Sequence, residues 1–155
     1  MITAVDTSVL LDVFTADPAH LERSRAALRD SSARGRVVAC EVVWAEAAAF
    51  FPDTAAAMDA MQTAGVDFEP LTIETALAAG AAWAEYHRAG GRRKRMIADF
   101  LIGAHALSAA DRLLTRDRGF YRAYFSGLEV LDPSAGETDP SFTVDLSPDE
   151  PGQSS

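Results

Sequence analysis

The sequence predicts an α/β fold in which a parallel β-sheet carries helices on both faces. Short apolar runs alternate along the chain with longer segments of helical periodicity. No connection between them carries the turn signal of a β-hairpin, so the strands are expected to be parallel and joined by helical crossovers. The 155 residues, 48% of them hydrophobic, suit one domain with a single packed core.

Five short apolar runs are the predicted strands. Each is rich in valine, leucine or isoleucine and is bounded by polar or turn-forming residues. Strands that alternate with helices in this way are typical of a sheet that is buried on both faces. The predicted strands cover residues 2–5, 37–40, 66–70, 113–115 and 128–131.

The segments between the strands predict helices. A helical pattern starts near Val9, and Asp17-Pro18 predicts the start of a second helix, because an N-cap residue followed by proline favours the first turn. That helix is expected to run to about residue 32, before Gly35. The further predicted helices cover residues 41–51, 53–63, 72–86, 97–109 and 120–124.

The C-terminal segment differs from the rest of the chain. From Pro133 onward it is rich in proline, serine, glycine and acidic residues, which predicts a folded domain over residues 1–133 and a mobile acidic tail over residues 134–155. The net charge is −9, and the five acidic residues of the tail leave −4 for the domain. An acidic balance is unusual for a nucleic-acid-binding protein.

One dense basic run stands against this acidic balance. Two interpretations are open, a solvated loop and a rim that binds RNA phosphates, and the position of the run directly before a predicted helix favours the second. The predicted RNA-binding residues are Arg92, Arg93, Lys94 and Arg95.

Composition also bears on the cellular compartment. No apolar stretch approaches the roughly 18–20 residues of a membrane span, and the N-terminus lacks the basic region of a secretory signal. Cys40 is the single cysteine, so a disulfide framework is excluded. We therefore expect a cytoplasmic protein without a membrane partner.

Four acidic residues lie in apolar surroundings. Asp6 and Asp117 follow the first and fourth predicted strands, where parallel sheets gather their ligand sites. Glu46 and Asp99 lie on or beside apolar helix faces. Helix capping is an alternative explanation for Asp6 and Asp117, and a salt bridge to Arg95 is an alternative for Asp99.

A cluster of carboxylates implies a cation. Unpaired buried carboxylates cost several kcal/mol or take up protons, and oxygen ligands favour Mg²⁺ or Mn²⁺ over zinc. The three histidines, His20, His87 and His105, do not have metal-ligand spacing. An acidic site with one or two Mg²⁺ ions is typical of phosphodiester hydrolysis.

Four segments together resemble the PIN-domain ribonucleases, and within them the VapC-type toxins of bacterial toxin–antitoxin pairs. The similarity extends over about residues 1–133. The segments are Val-Asp-Thr-Ser at 5–8, Val-Trp-Ala-Glu at 43–46, Ile-Ala-Asp-Phe-Leu-Ile-Gly-Ala-His-Ala-Leu at 97–107 and Leu-Leu-Thr-Arg-Asp-Arg-Gly-Phe-Tyr at 113–121.

This resemblance implies a PIN-like fold and a Mg²⁺-dependent endoribonuclease, with Mn²⁺ as a substitute. It also implies a cognate antitoxin as partner and leaves homodimer formation open. Gly119 stands where many relatives carry a further acid, so the number of metal ions stays open. The implied catalytic and metal-binding residues are Asp6, Glu46, Asp99 and Asp117, supported by the hydroxyl groups of Thr7, Ser8 and Thr115.

Two other classes of function remain open. An aspartate-based phosphatase would use Asp6 as nucleophile, but Ser8 stands where such enzymes carry a second acid. A catalytically silent interaction module would have no reason to keep four costly carboxylates. For an antitoxin, the expected docking groove has apolar rims, with Leu10, Phe14 and Phe50 as candidates.

Overall fold

Five strands form one parallel sheet. The computed structural model describes residues 1–90 and 95–135. The sheet order is β3-β2-β1-β4-β5, and every neighbouring pair is parallel. This confirms the predicted α/β fold. The strands are β1 Ile2–Val5, β2 Arg36–Ala39, β3 Val66–Phe68, β4 Arg112–Leu114 and β5 Glu129–Leu131.

Helices connect the strands, and most begin close to the predicted positions. Asp53 and Thr72 cap two of them, since their side chains accept from the backbone N of Ala56 at 2.8 Å and of Thr75 at 3.2 Å. The helices are α1 Thr7–Phe14, α2 Leu21–Arg34, α3 Glu41–Ala48, α4 Thr54–Thr63, α5 Ile73–Arg88, α6 Ile97–Ala109 and α7 Arg118–Tyr124.

The start of α2 differs from the prediction. Asp17 Oδ1 accepts from the backbone N of Ala19 at 2.9 Å and of His20 at 3.1 Å. These bonds stabilise a turn at this point, so the helix begins at Leu21 rather than directly after Asp17. The sequence signal of aspartate before proline therefore marked a turn.

The core lies on both sides of the central strands. Val5, Val38 and Leu113 are at most 1% exposed. Helix α6 packs closely through Gly103, where an added Cβ would come within 2.3 Å of the Phe125 ring. This contact allows α6 to pack closely against the segment that follows α7.

The candidate rims of a docking groove do not share one environment. Leu10 is completely buried, so its assignment to a groove rim is wrong. Phe14 is partly buried and its ring lies 5.3 Å from that of Phe51, whereas Phe50 is exposed. Only Phe50 therefore offers a large free apolar surface among the three.

Two predicted features lie outside the described residues. Arg92, Arg93 and Lys94 of the basic run belong to the gap at 91–94, and nearly all of the predicted tail lies beyond residue 135. Within the ranges that are described, no helix is long and apolar enough to cross a membrane.

Candidate metal centre

Asp6 lies at the carboxyl end of β1, and two hydroxyl groups hold its side chain. Thr115 Oγ1 donates to Asp6 Oδ2 at 2.7 Å, and Ser8 Oγ donates to the same oxygen at 3.1 Å. Asp6 occupies the N-cap position of α1, but its side chain makes no capping hydrogen bond. Capping therefore does not account for this buried carboxylate, which is 7% exposed.

Thr115 connects the ends of two neighbouring strands. Its hydroxyl donates to Asp6 after β1 and accepts from the backbone N of Asp117 at 3.0 Å. Because β1 and β4 pair in parallel, both acids leave the sheet at the same edge. The hydroxyl of Thr115 thus fixes the position of Asp117 relative to Asp6.

Asp99 lies in the first turn of α6, half-buried beside the same edge. The backbone N of Met96 donates to its Oδ2 at 3.3 Å. Burial raises the pKa of Asp99, while the charge of Arg95 lowers it and that of Asp117 raises it. Burial likewise raises the pKa of Asp6, with a smaller contribution from the charge of Asp99. Asp99 therefore lies within electrostatic reach of both Asp6 and Asp117.

Glu46 reaches the cluster through a threonine. Thr7 Oγ1 donates to Glu46 Oε1 at 2.8 Å, and this bond joins the first turn of α1 to α3. Thr7 is buried, but Glu46 is exposed, although the sequence placed it on or beside an apolar face. Glu46 is thus hydrogen-bonded to the residue that follows Asp6, and it faces solvent.

Asp117 is paired with Arg95. Both guanidinium Nη atoms donate to the carboxylate, and the Arg95 Nη2–Asp117 Oδ1 distance is 3.3 Å. The salt bridge considered for Asp99 is therefore formed with Asp117 instead. The side chain of Asp117 is 40% exposed, and it makes no capping hydrogen bond to α7.

Tyr121 is a further residue of this region, which the sequence analysis missed. It is 1% exposed, and its hydroxyl has no hydrogen-bond partner among the described residues. Burial raises its pKa, and the charges of Asp6, Asp99 and Asp117 raise it further. The spacing of four residues from Asp117 along α7 was the available signal, because residues at that spacing share a helix face.

The residues present fit a hard divalent cation by their chemistry. The side chains that surround the edge offer carboxylate and hydroxyl oxygens, which Mg²⁺ and Mn²⁺ prefer. The buried hydroxyl of Tyr121, without a protein partner in the described chain, adds a polar group that a bound water could satisfy. The four acids nevertheless do not form one tight cluster. Among the described residues, no three of them have ligand atoms within 4.8 Å of one another.

A second acidic group is closer together but already has partners. Asp12, Asp17 and His20 have ligand atoms within 4.8 Å of one another. Asp12 accepts from Arg116 Nε at 2.8 Å and Nη2 at 3.0 Å, and from Ser24 Oγ at 2.6 Å. Since Asp12 is neutralised by a guanidinium and Asp17 accepts from the backbone N–H groups of its own turn, we assign no metal to this group.

The raised pKa of Asp6 predicts how a variant affects stability. An acid whose pKa is higher in the folded state stabilises the fold fully below its unfolded pKa, 3.8 for aspartate, and this contribution is lost as pH rises through the folded value. In chelator, Asp6→Asn should therefore raise Tm at about pH 7, and the gain should shrink toward about pH 4. Thermal melts across this range measure it.

Asp59→Asn is the matched control for that experiment. Asp59 is an exposed residue of α4, and its variant makes the same change of charge. Asp59→Asn should not show a rise of Tm near neutral pH that shrinks as the pH is lowered. A Tm for Asp6→Asn that equals the wild-type Tm at every pH would contradict the buried, charged state of Asp6.

Comparisons with known proteins agree with this architecture. A family model described as the PIN domain matches residues 3–126, a range that contains all four acids. No match was found among curated protein sequences.

Several solved structures share the fold. VapBC2 from Rickettsia felis, bound to a DNA fragment from its promoter, is 16% identical with a TM-score of 0.65, covering 85% of this chain and 98% of that one. VapBC-1 from nontypeable Haemophilus influenzae is 19% identical with a TM-score of 0.64, covering 86% and 98%. FitAcB from Neisseria gonorrhoeae is 20% identical with a TM-score of 0.60, covering 86% and 98%.

Proposed function

Since the chain belongs to the PIN domain family, we propose that it is a Mg²⁺-dependent endoribonuclease and the toxin of a toxin–antitoxin pair. The proposed catalytic group consists of Asp6, Glu46, Asp99 and Asp117, and the carboxylates of this group are the candidate metal ligands. Thr7, Ser8 and Thr115 orient them. Mn²⁺ is the expected substitute for Mg²⁺, since both ions take oxygen ligands.

The link from the buried Asp6 through the Thr115 hydroxyl to Asp117 supports this proposal most. Three carboxylates act on one buried phenol at the carboxyl edge of a parallel sheet. Groups with perturbed pKa values that converge at such an edge are typical of functional sites. A purely structural role would not require Asp6 to be buried without a cationic partner, since its partners in the structure are two hydroxyl groups.

The chain's own residues would act by holding and orienting. A divalent ion bound at this edge would activate water and stabilise the charge that develops on the phosphodiester. Thr115 and Ser8 restrict the orientation of the Asp6 carboxylate, and the bond from Met96 restricts that of Asp99. Such prior orientation lowers the cost of assembling the site when the ion and RNA bind.

The phosphatase alternative has less support. A nucleophilic aspartate must present a free carboxylate oxygen to the substrate. Ser8, whose hydroxyl donates to Asp6, stands where such an enzyme carries its second acid.

RNA cleavage in the presence and absence of metal tests the proposal. Purified protein should cut single-stranded RNA in Mg²⁺, and cleavage should stop in excess chelator. Equal cleavage in chelator would contradict the proposal.

The toxin assignment predicts growth arrest. The sequence resembles VapC-type toxins, and the fold is similar to that of proteins solved as VapBC and FitAcB. Expression of the wild-type chain alone should slow growth, because uncontrolled RNA cleavage depletes essential transcripts. Co-expression of the small protein encoded beside it should restore growth and yield a stable complex. Growth and copurification are the measurements.

Asp99→Asn provides the control for that experiment. This variant should not slow growth, but it should still bind the small protein encoded beside it. A wild-type chain that is harmless at the same expression level, and that copurifies with nothing, would favour a silent interaction module.

The basic segment is proposed to bind RNA phosphates. Arg95 is engaged with Asp117, so the prediction concerns the other three residues, Arg92, Arg93 and Lys94. Replacing these three by Gln should weaken RNA binding at low salt and lower the slope of log K against log salt by about 2–3, because each phosphate contact releases counterions. Fluorescence anisotropy with a labelled RNA measures both quantities.

Arg23, Arg29 and Arg34 supply a matched triple variant with the same loss of charge. They are exposed residues of α2, an element distant in sequence from the basic segment. An equal salt slope for the two triple variants would show that the basic segment contributes only nonspecific charge.

A further inference from the structure

Arg95 is held in place by three different contacts. Its guanidinium group donates to both oxygens of Asp117, and its Cζ atom lies 4.3 Å from the centre of the Phe120 ring. Its backbone N donates to the hydroxyl of Tyr86 at 3.4 Å. The side chain is only 20% exposed, so Arg95 is seated within the protein surface.

The pairing uses the carboxylate that a metal would need. A bidentate arginine–carboxylate pair engages both oxygens and is among the stronger hydrogen-bonded ion pairs in proteins. Asp117 therefore offers an ion only the lone pairs that Arg95 leaves free, beside a fixed positive charge that repels the ion. Phe120 holds the guanidinium group in position through a cation–π contact.

Arg95 also supplies positive charge to the acidic group. Its charge acts on Asp99 as well as on its direct partner Asp117. The repulsion between the clustered carboxylates is thus reduced by a residue of the chain itself. One divalent ion between Asp6 and Asp99 would then suffice to compensate the remaining charge.

We propose that Arg95 is a positioning residue that keeps Asp117 from ligating metal and limits the site to one divalent ion, bound through Asp6 and Asp99. This inference rests on the proposed function. It assigns Arg95 to the acidic site, and it leaves RNA binding to the other basic residues of its segment.

Mn²⁺ binding to the purified full chain tests the proposal without any RNA. Isothermal titration calorimetry gives the number of ions and the affinity for the wild type, for Arg95→Gln and for the double variant Arg95→Gln/Asp117→Asn. Asp117→Asn alone is not diagnostic, because it leaves the charge of Arg95 uncompensated and weakens Mn²⁺ binding in either case.

The proposal predicts one ion in the wild type and about tenfold tighter binding in Arg95→Gln, because a repelling charge is removed and Asp117 is freed. The double variant removes a positive and a negative charge together, so its affinity should stay within about threefold of the wild type. Arg95→Lys keeps the charge but loses the two parallel N–H donors of the guanidinium group. Its affinity for Mn²⁺ should therefore lie between those of the wild type and Arg95→Gln.

Arg118→Gln is the matched control. Arg118 is a neighbouring arginine whose side chain is 51% exposed. Its Nε atom lies 3.6 Å from Oδ2 of Asp132, which is not one of the four acids of the site. It should bind Mn²⁺ as the wild type does. Far-UV circular dichroism of each variant establishes that it is folded before titration.

Two results would overturn the inference and leave the proposed function intact. One is two ions bound by the wild type. The other is a double variant that binds Mn²⁺ at least tenfold more weakly than the wild type, which would identify Asp117 as a ligand in the native chain. A folded wild type that binds no Mn²⁺ would instead overturn the metal site of the proposed function together with this inference.

Discussion

Asp99→Asn is expected to lower the rate of RNA cleavage in saturating Mg²⁺ by at least about a hundredfold, the loss typical when one preorganised electrostatic group is removed. Asp99 is half-buried, and its carboxylate interacts with the charges of Asp6 and Asp117. Asparagine keeps the size of the side chain and can still accept from the backbone N of Met96. The fold should therefore persist, while the negative charge that holds the ion is lost. Initial rates with a defined RNA measure the effect.

Asp59→Asn serves as the control for cleavage as well, since it makes the same change of charge on an exposed face of α4. Its rate should stay within about twofold of the wild type, because surface substitutions away from a site have small effects. Asp99→Asn protein that is folded and cuts RNA at the wild-type rate would exclude Asp99 from the catalytic group.

Asp12→Ala is expected to destabilise the fold by about 3–5 kcal/mol, the usual cost of breaking a buried ion pair. The Asp12 side chain is 2% exposed and accepts three hydrogen bonds, two from Arg116 and one from Ser24. Its loss leaves the guanidinium group without its carboxylate between α1, α2 and the segment after β4. Chemical denaturation gives the free energy of unfolding.

Asp30→Ala is the comparison for stability. Asp30 pairs with Arg34 at 2.9 Å, but both side chains are 57% exposed. Solvent screens such a pair, so its removal should cost about 0–1 kcal/mol. Equal costs for the two variants would show that the Asp12 pair has no special stabilising role.

The sequence predicted the strands well because their patterns are local. The run from Ile2 to Val5 is apolar, short and followed by Asp6, and the structure forms β1 with these bounds. The order of the five strands could not be predicted, because it depends on which helical crossover packs on which face. Asp17 shows a related limit, since the same side chain can cap a helix or stabilise a turn.

The candidate site shows the same division between local and distant information. The positions of Asp6 and Asp117 after parallel strands were readable from the sequence, and the structure joins them through Thr115. The ion pair of Arg95 with Asp117 joins residues that are 22 positions apart, so no helical or strand periodicity connects them. The burial of Leu10 was missed because α1 is apolar on more than one face.

The response of Tm to Mg²⁺ tests most directly whether the acidic residues form a metal site. A ligand that binds only the folded state raises the free energy of unfolding by mass action. For the wild type we expect a rise of about 5 °C between excess chelator and saturating Mg²⁺. The double variant Asp6→Asn/Asp99→Asn should show a rise below about 1 °C, because both carboxylates that hold the ion are neutral. A wild type that melts at the same temperature in both conditions, or a double variant that rises as much as the wild type, would contradict the account.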